Sequence, residues 1–198
     1  MLSSIHPLGE RGRGQRWSIT VTAYTAASTA GGTAMGLFAG TLGDVVVAGQ
    51  GRPILAVAAV ACAAAAVTDA RRAPVPWVRR QVDEDWLHAY RGWVYGAGFG
   101  AQLGAAVATT ITTATVPLFV TLAALTGSAP LGAGIGAIFG LVRALPVLLL
   151  GRVHRPAQLW RLHADMARLG PASARVAATV VGALAVVLAA VLAAGGTA

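Results

Sequence analysis

The chain has 198 residues, of which 56% are hydrophobic and 11% are charged, and its mean hydropathy is +0.68. In soluble domains roughly a quarter of all residues are charged, so this composition argues against a soluble globular protein. The formal net charge of +8 would suggest nucleic-acid binding, but the basic residues lie between long apolar runs, which is the arrangement found in membrane proteins.

Uncharged stretches of the length needed to cross a bilayer predict five transmembrane helices. They are Trp17–Leu42, Pro53–Thr68, Trp93–Thr126, Leu131–Leu150 and Ser173–Gly195. The predicted fold class is therefore all-α, a polytopic transmembrane helical bundle of about five spans. We expect residues 1–16 to form a cytoplasmic N-terminal segment and residues 17–198 a single transmembrane domain, with cytoplasmic Arg-rich loops at 70–92 and 151–172.

The third predicted span is too long for one ordinary crossing, because its 34 residues would form a helix of about 51 Å. It is either one long, tilted or broken helix, or a hairpin of two helices. The positive-inside rule favours a single crossing, which leaves Arg52 as the only arginine in an outer loop and places the N-terminus inside and the C-terminus outside. The cytoplasmic arginines are then Arg11, Arg13, Arg16, Arg71, Arg72, Arg79, Arg80, Arg91, Arg152, Arg155, Arg161, Arg168 and Arg175.

A cleavable signal peptide is the alternative interpretation of the amino terminus. An Arg-bearing segment precedes an apolar stretch, and Ala26–Ala30 offers small residues near a cleavage position. The apolar stretch extends well beyond the usual h-region of about 7 to 15 residues, which favours a retained span.

Glycines spaced four residues apart mark one face of three predicted spans, where missing side chains let helix backbones approach closely. They are Gly32, Gly36 and Gly40 in the first span, Gly92, Gly96, Gly100 and Gly104 in or just before the third, and Gly132, Gly136 and Gly140 in the fourth. Helix packing without a direct functional role is one interpretation of this glycine zipper, and the close-packed core of a transporter is the other. The similar spacing in the first and third spans, with a Leu-His-Ala step in both Arg-rich loops, suggests a weak internal duplication.

The Arg-rich loops have the pattern of amphipathic helices at the membrane surface. In Gln158–Leu169, apolar residues recur at steps of three and four while Arg161, Asp165 and Arg168 take other positions. This pattern predicts that the loops anchor the protein to anionic lipid headgroups.

A threonine run precedes Pro117 near the middle of the third predicted span. Its members are Thr109, Thr110, Thr112 and Thr113. Proline removes a backbone donor and clashes with the carbonyl of Thr113, so we expect the helix to kink or unwind there, with threonine hydroxyls satisfying the freed carbonyls. Unwound backbone with hydroxyls at membrane depth is typical of solute sites in secondary transporters, whereas a simple bend that serves packing is the alternative.

Arg143 is the one charge that lies well inside a predicted span, about 10 Å from its cytoplasmic end by helix rise. An intramembrane arginine is costly unless it is paired, which makes it a candidate functional residue. Its possible partners are the freed carbonyls near Pro117, the side chain of Gln102, or an anionic substrate.

No recognisable catalytic or metal-binding motif is present. His88 has Glu84 and Asp85 at helical spacing, but its loop contains no second histidine, and the single Cys62 excludes a cysteine-pair centre. Asp44, at the outer end of the first span, either guards an entrance or is simply solvated. Phosphate-binding glycine loops, HExxH and a Ser/His/Asp constellation are absent, so we predict a protein without enzymatic activity, metal or cofactor.

Residues 79–150 contain a run of motifs that points to a family. Arg79-Arg80-Gln81-Val82, then Trp86, then Gly98-Phe99-Gly100-Ala101-Gln102-Leu103-Gly104 and the threonine run resemble a group of uncharacterised polytopic membrane proteins of high-GC actinobacteria. More distantly, the glycine-rich helices broken near a proline resemble the membrane domains of CcdA/DsbD-type thiol-disulfide transporters. Those carriers use a pair of membrane-embedded cysteines that this chain lacks, so the resemblance implies architecture and not electron transfer.

These observations predict a bacterial inner-membrane, multi-pass protein that acts as a small-solute or ion permease or exporter, or as the membrane subunit of one. The alternative is a non-transporting structural or assembly subunit of a larger membrane complex. Because so few helices enclose little interior, we expect a homo-oligomer or other membrane subunits, in contact with the lipid bilayer and not with nucleic acid. The predicted solute path consists of Arg143, Thr109, Thr110, Thr112, Thr113, Pro117 and Gln102.

Overall fold

Helices form every regular element in the part of the chain that the structure, a computed structural model, describes: residues 5–47, 51–75, 85–107 and 113–194. The predicted all-α class is therefore confirmed. In chain order the helices are α1 (Pro7–Gly12), α2 (Trp17–Val47), α3 (Gly51–Ala70), α4 (Trp86–Ala89), α5 (Gly92–Gly104), α6 (Thr115–Leu125), α7 (Ala129–Ala144), α8 (Pro146–Leu149) and α9 (Pro156–Ala194), with a 3₁₀ turn at Leu150–Arg152 between the last two.

Four stretches within the described ranges are long and apolar enough to cross a membrane. They are Trp17–Val47, Gly51–Ala70, Ala129–Arg152 and Pro156–Ala194. They contain or overlap the first, second, fourth and fifth predicted spans, and each differs from its prediction by a few residues or more at the ends. Their length and apolar composition are compatible with an integral membrane protein.

The third predicted span, Trp93–Thr126, is not one continuous helix. Its residues form α5, with 13 residues, and α6, with 11 residues, and neither alone has the roughly 20 residues that a crossing needs. Gly100 and Gly104 of α5 lie against Tyr24 and Ser28 of α2, whereas Ala124 of α6 lies against α2 further along the chain, near Gly43. The two short helices therefore advance in the same direction along α2, as the halves of one interrupted helix would.

Helix α2 packs along α7 in the opposite direction, and the contact is made by backbone. Gly32 lies against Gly136 and Gly36 against Gly132, so that a methyl group on any of the four would overlap a carbonyl of the facing helix. At the end of this contact the hydroxyl of Ser28 donates to the carbonyl oxygen of Gly140 over 2.8 Å. Helix α2 is thus held between α5 on one side and α7 on another, each at backbone distance.

Helix α9 differs from the sequence prediction at its amino-terminal end. Its 39 residues, about 58 Å at the usual rise, run from Pro156 without a break at the predicted loop boundary before Ser173. Pro171 inside the helix costs one hydrogen bond, whereas ending and restarting the helix would leave about four carbonyls and four N–H groups without partners. The predicted amphipathic segment Gln158–Leu169 is therefore helical, but it is the first part of α9 and not a separate element.

The chain before α2 folds back against the bundle. Pro7 starts α1, and the imidazole Nδ1 of His6 accepts a hydrogen bond from the backbone N–H of Gly9 as an N-terminal cap. Ile5 is 1% exposed and belongs to an apolar cluster with Tyr95, Phe99 and residues following α7. Residues 5–16 are consequently a packed part of the fold.

Candidate functional site

The interruption between α5 and α6 starts earlier than the threonine run predicts. Helix α5 ends at Gly104, and Ala106 has a φ of 59°, a left-handed conformation that cannot continue a helix. Pro117 is the third residue of α6, in the first turn, where its missing N–H breaks no helical hydrogen bond. Pro117 therefore lies at a helix start and does not kink a helix interior.

The structure describes one of the four threonines of the predicted solute path. Thr109, Thr110 and Thr112 lie outside the described residues. Thr113 lies just before α6, and its hydroxyl is 2.6 Å from the hydroxyl of Thr115. This hydroxyl pair stands at the start of α6, so Thr113 bonds to a side chain and not to a freed helix carbonyl.

Arg143 reaches from α7 to the end of α5. Its Nη1 donates a hydrogen bond to the carbonyl oxygen of Leu103 over 3.2 Å, and the guanidinium carbon lies 5.5 Å from the centre of the Phe139 ring. The last carbonyls of a helix lack intrahelical partners and carry the negative end of the helix dipole, so a cation there is stabilised. The partner that the structure shows is therefore a backbone carbonyl, as predicted, but it belongs to Leu103 near the end of α5 and does not lie beside Pro117. Gln102, which directly precedes Leu103, is half-buried.

The start of α6 is met by a carboxylate that the sequence analysis did not single out. Asp69, the second-last residue of α3, accepts a hydrogen bond from the backbone N–H of Ala114 over 2.6 Å. N–H groups at a helix start carry the positive end of the dipole, so an acid is favourable there. The sequence signal for Asp69 is an acidic residue directly after the apolar run Pro53–Thr68. Because arginines follow it, the same residue is equally typical of a charged loop.

The two ends of the interrupted helix are thus each matched by a side chain of opposite charge. Arg143 contacts the carboxyl end of α5, and Asp69 contacts the amino end of α6. Such partners reduce the cost of leaving terminal backbone groups of a broken helix within a membrane.

A cleft of about 490 Å³ lies beside the break, between α6, α7 and α9. Most of its lining is apolar, including Phe119 and Phe139, whose rings stack with centroids 4.0 Å apart. Thr113, Thr115 and Arg143 supply the polar groups of the lining. A largely apolar cleft of this size with a few convergent polar groups has the character of a site for a small molecule.

A second polar cluster lies at the amino-terminal end of α2 and was missed by the sequence analysis. Glu10 is fully buried and accepts hydrogen bonds from Arg13 over 2.6 Å, from the Thr20 hydroxyl over 2.7 Å, and from the Tyr95 hydroxyl. The signal available was its position as the one acid before Asp44, among arginines. Glu10 ties α1 to both α2 and α5.

Two titratable groups beside Glu10 have shifted pKa values. Burial tends to lower the pKa of Arg13, but hydrogen bonds and charge interactions with Glu10 and Tyr95 raise it overall, so the ion pair persists. The pKa of His6 is lowered by burial and then by the positive charge of Arg13. His6 therefore stays neutral at neutral pH, as its role as a hydrogen-bond acceptor at α1 requires.

The remaining predicted positions do not join these clusters. Asp44 is exposed near the carboxyl end of α2. Glu84 lies outside the described residues, and no group of three His, Cys, Asp or Glu side chains within the described ranges is placed to hold a metal ion.

Comparison with known proteins adds no relative to this description. No family model matches the chain, and neither a curated protein nor a solved structure matches it.

Proposed function

We propose that the chain is an inner-membrane permease or exporter for a small solute or ion, or the membrane subunit of one. The observation that supports this most is the interrupted helix, with Arg143 at the end of α5 and Asp69 at the start of α6, next to a cleft that Arg143 also lines. Half-helices whose ends face a solute site near the middle of the membrane are the usual construction of secondary transporters.

In this proposal the solute enters the cleft and contacts Arg143 together with the hydroxyls of Thr113 and Thr115. Arg143 brings a positive charge to the lining of the cleft. A solute with an anionic group is therefore favoured, because a guanidinium binds such groups through charge-assisted hydrogen bonds. Gln102, which directly precedes Leu103 on α5, would line the route next to this contact. Thr109, Thr110 and Thr112 stay predicted members of the path and lie outside the described residues.

The same proposal includes the membrane arrangement. Helices α5 and α6 together make one crossing, which gives five crossings with the N-terminus inside. Valines on α9, such as Val180 and Val187, are more than half exposed, so lipid, a second copy or another subunit would cover them. An assembly of copies or subunits would also enclose the cleft more fully than one chain does.

Water access to the cleft tests the proposal without knowledge of the solute. In a Cys62→Ala background, Thr115→Cys is treated with a charged, membrane-impermeant thiosulfonate in proteoliposomes. We expect Thr115→Cys to be modified, because a solute path is hydrated and the reagent needs a thiolate. The matched control is Val186→Cys, 69% exposed on α9, which would face lipid and stay unmodified.

The opposite result supports the alternative, a non-transporting assembly subunit. If Thr115→Cys is as unreactive as Val186→Cys in chains that remain folded and monodisperse, the cleft is dry and the permease proposal is wrong. Electrometry on proteoliposomes of the otherwise unmodified chain is an independent measurement, with concentration jumps of chloride, phosphate, sodium and protons. A current for any of these ions that is lost in Arg143→Ala supports the permease proposal.

A further inference from the structure

We propose that the cavity at the amino-terminal end of α2 binds a phosphate-bearing anion, the headgroup of an anionic lipid. The cavity has a volume of about 340 Å³ and lies between the turn before α2 and the start of α5. Arg16 and Arg91 supply its positive charge, Gln15 and Thr20 its neutral polar groups, and Ile19 and Trp93 its apolar edge. This inference depends on the protein lying in a membrane and is independent of any transport activity.

The two arginines come from distant parts of the sequence and converge on one space. Within the described residues, neither Arg16 nor Arg91 forms an ion pair with a carboxylate; the ion pair found there joins Arg13 to Glu10. Glu10 lies beside Gly92 at the start of α5, and its oxygens are already occupied by Arg13, Thr20 and Tyr95. Two like charges lining one cavity repel each other, and an anion between them would remove that repulsion.

Hydrogen bonds fix the walls of the cavity before any ligand arrives. The side-chain oxygen of Gln15 accepts from the backbone N–H of Gly92 over 3.1 Å, which joins the turn before α2 to the start of α5. Thr20 is held by its hydroxyl bond to Glu10, and Gly14 makes the turn with a φ of 67° that only glycine adopts readily. Arg16 and Arg91 are therefore carried by backbone that binding does not need to reorganise.

The apolar edge of the cavity indicates a lipid and not a free anion. Ile19 is 48% exposed and Trp93 is 54% exposed, and both adjoin the arginines on the outside of the bundle. Tryptophan is enriched at the level of lipid headgroups, and basic pockets between helices on the cytoplasmic side of a membrane take anionic headgroups. A lipid would place its phosphate between the arginines and its acyl chains along Ile19.

The test measures lipid retention by the full chain in a neutral detergent, using native mass spectrometry with added phosphatidylglycerol or phosphatidylcholine. We expect phosphatidylglycerol to bind, and the double variant Arg16→Gln with Arg91→Gln to lose about 25-fold in affinity, about fivefold for each arginine. The control double variant is Arg52→Gln with Arg175→Gln, which removes the same charge from exposed positions of α3 and α9 that lie outside the two Arg-rich loops. We expect its affinity to stay within about twofold of the unmodified chain.

Inorganic phosphate, added as a competitor, distinguishes the two sources of the same chemistry. If millimolar phosphate displaces phosphatidylglycerol with the same arginine dependence, the cavity takes the phosphate group from either source. If it does not, the acyl chains along Ile19 and Trp93 contribute and the ligand is a lipid. The proposal is overturned if the Arg16/Arg91 variant retains phosphatidylglycerol as well as the unmodified chain, or if the control variant loses as much.

Discussion

The carboxylate of Glu10 joins the amino-terminal segment to two helices of the bundle. Glu10 has no exposed surface and is shared by Arg13, Thr20 and Tyr95, which belong to the turn after α1, to α2 and to α5. Charge-assisted hydrogen bonds are about twice as strong as neutral ones, and the loss of one partner leaves the others buried without compensation. Loss of the Glu10 carboxylate should therefore lower the free energy of unfolding more than loss of any one of its three partners.

Replacing Glu10 tests this conclusion. We expect Glu10→Ala to lower the free energy of unfolding by about 3 kcal/mol, because Arg13 is left partly buried without its ion-pair partner. Glu10→Gln should cost less, since the amide oxygen still accepts from Thr20. Unfolding is followed by the apparent Tm in detergent, and Asp165→Ala, at an exposed position of α9, is the control with an expected change within about 0.5 kcal/mol. Equal effects of Glu10→Ala and Asp165→Ala would contradict the assignment.

At the level of elements, the packing of α2 against α7 depends on glycines that face the backbone of the other helix, and one further glycine of α7 does not take part. Gly136 and Gly134 lie two residues apart on α7, yet Gly136 lies against the Gly32 carbonyl of α2 while Gly134 has no neighbouring atom within 4 Å of an added methyl group. The same substitution at the two positions thus separates helix packing from helix propensity.

We expect Gly136→Ala to destabilise the protein by about 1–3 kcal/mol or more, because backbone atoms of α2 must move to admit the methyl group. Gly134→Ala should leave stability unchanged or raise it by up to about 1 kcal/mol, since alanine favours the helix over glycine. Thermal unfolding and gel filtration in detergent measure both. A loss at Gly134→Ala as large as that at Gly136→Ala would show that α7 does not contact α2 at Gly136.

Elements that depend on local sequence could be predicted, and those that depend on distant contacts could not. Apolar runs place the long helices, and the cost of a buried charge identifies Arg143 as a residue that needs a partner. The end of α5 at Gly104 was not predictable, because the residues from Ala105 to Thr115 are themselves apolar or hydroxylated and extend the hydropathy signal across the break. The roles of Asp69 and Glu10 likewise need partners 45 and 85 residues away, which no local pattern contains.

At the scale of the whole molecule, the number of crossings depends on the interrupted helix. The four long apolar stretches alone would bring both termini to the same side of the membrane. If α5 and α6 together make a fifth crossing, the termini lie on opposite sides. The exposed arginines at the start of α9, Arg161 and Arg168, then remain cytoplasmic, in agreement with the positive-inside rule.

Reporters at both ends of the full chain distinguish four crossings from five. If the chain crosses five times with its N-terminus inside, as proposed, green fluorescent protein fused before Met1 will fluoresce in the cytoplasm. Alkaline phosphatase fused after Ala198 will then be active, because the enzyme needs the oxidising outer compartment to form its disulfides. Swapping the two reporters is the matched control and should silence both. Fluorescence from a carboxyl-terminal green fluorescent protein, with inactive phosphatase at the same position, would mean an even number of crossings. Helices α5 and α6 would then form a re-entrant pair that turns back within the membrane, which their shared direction along α2 opposes.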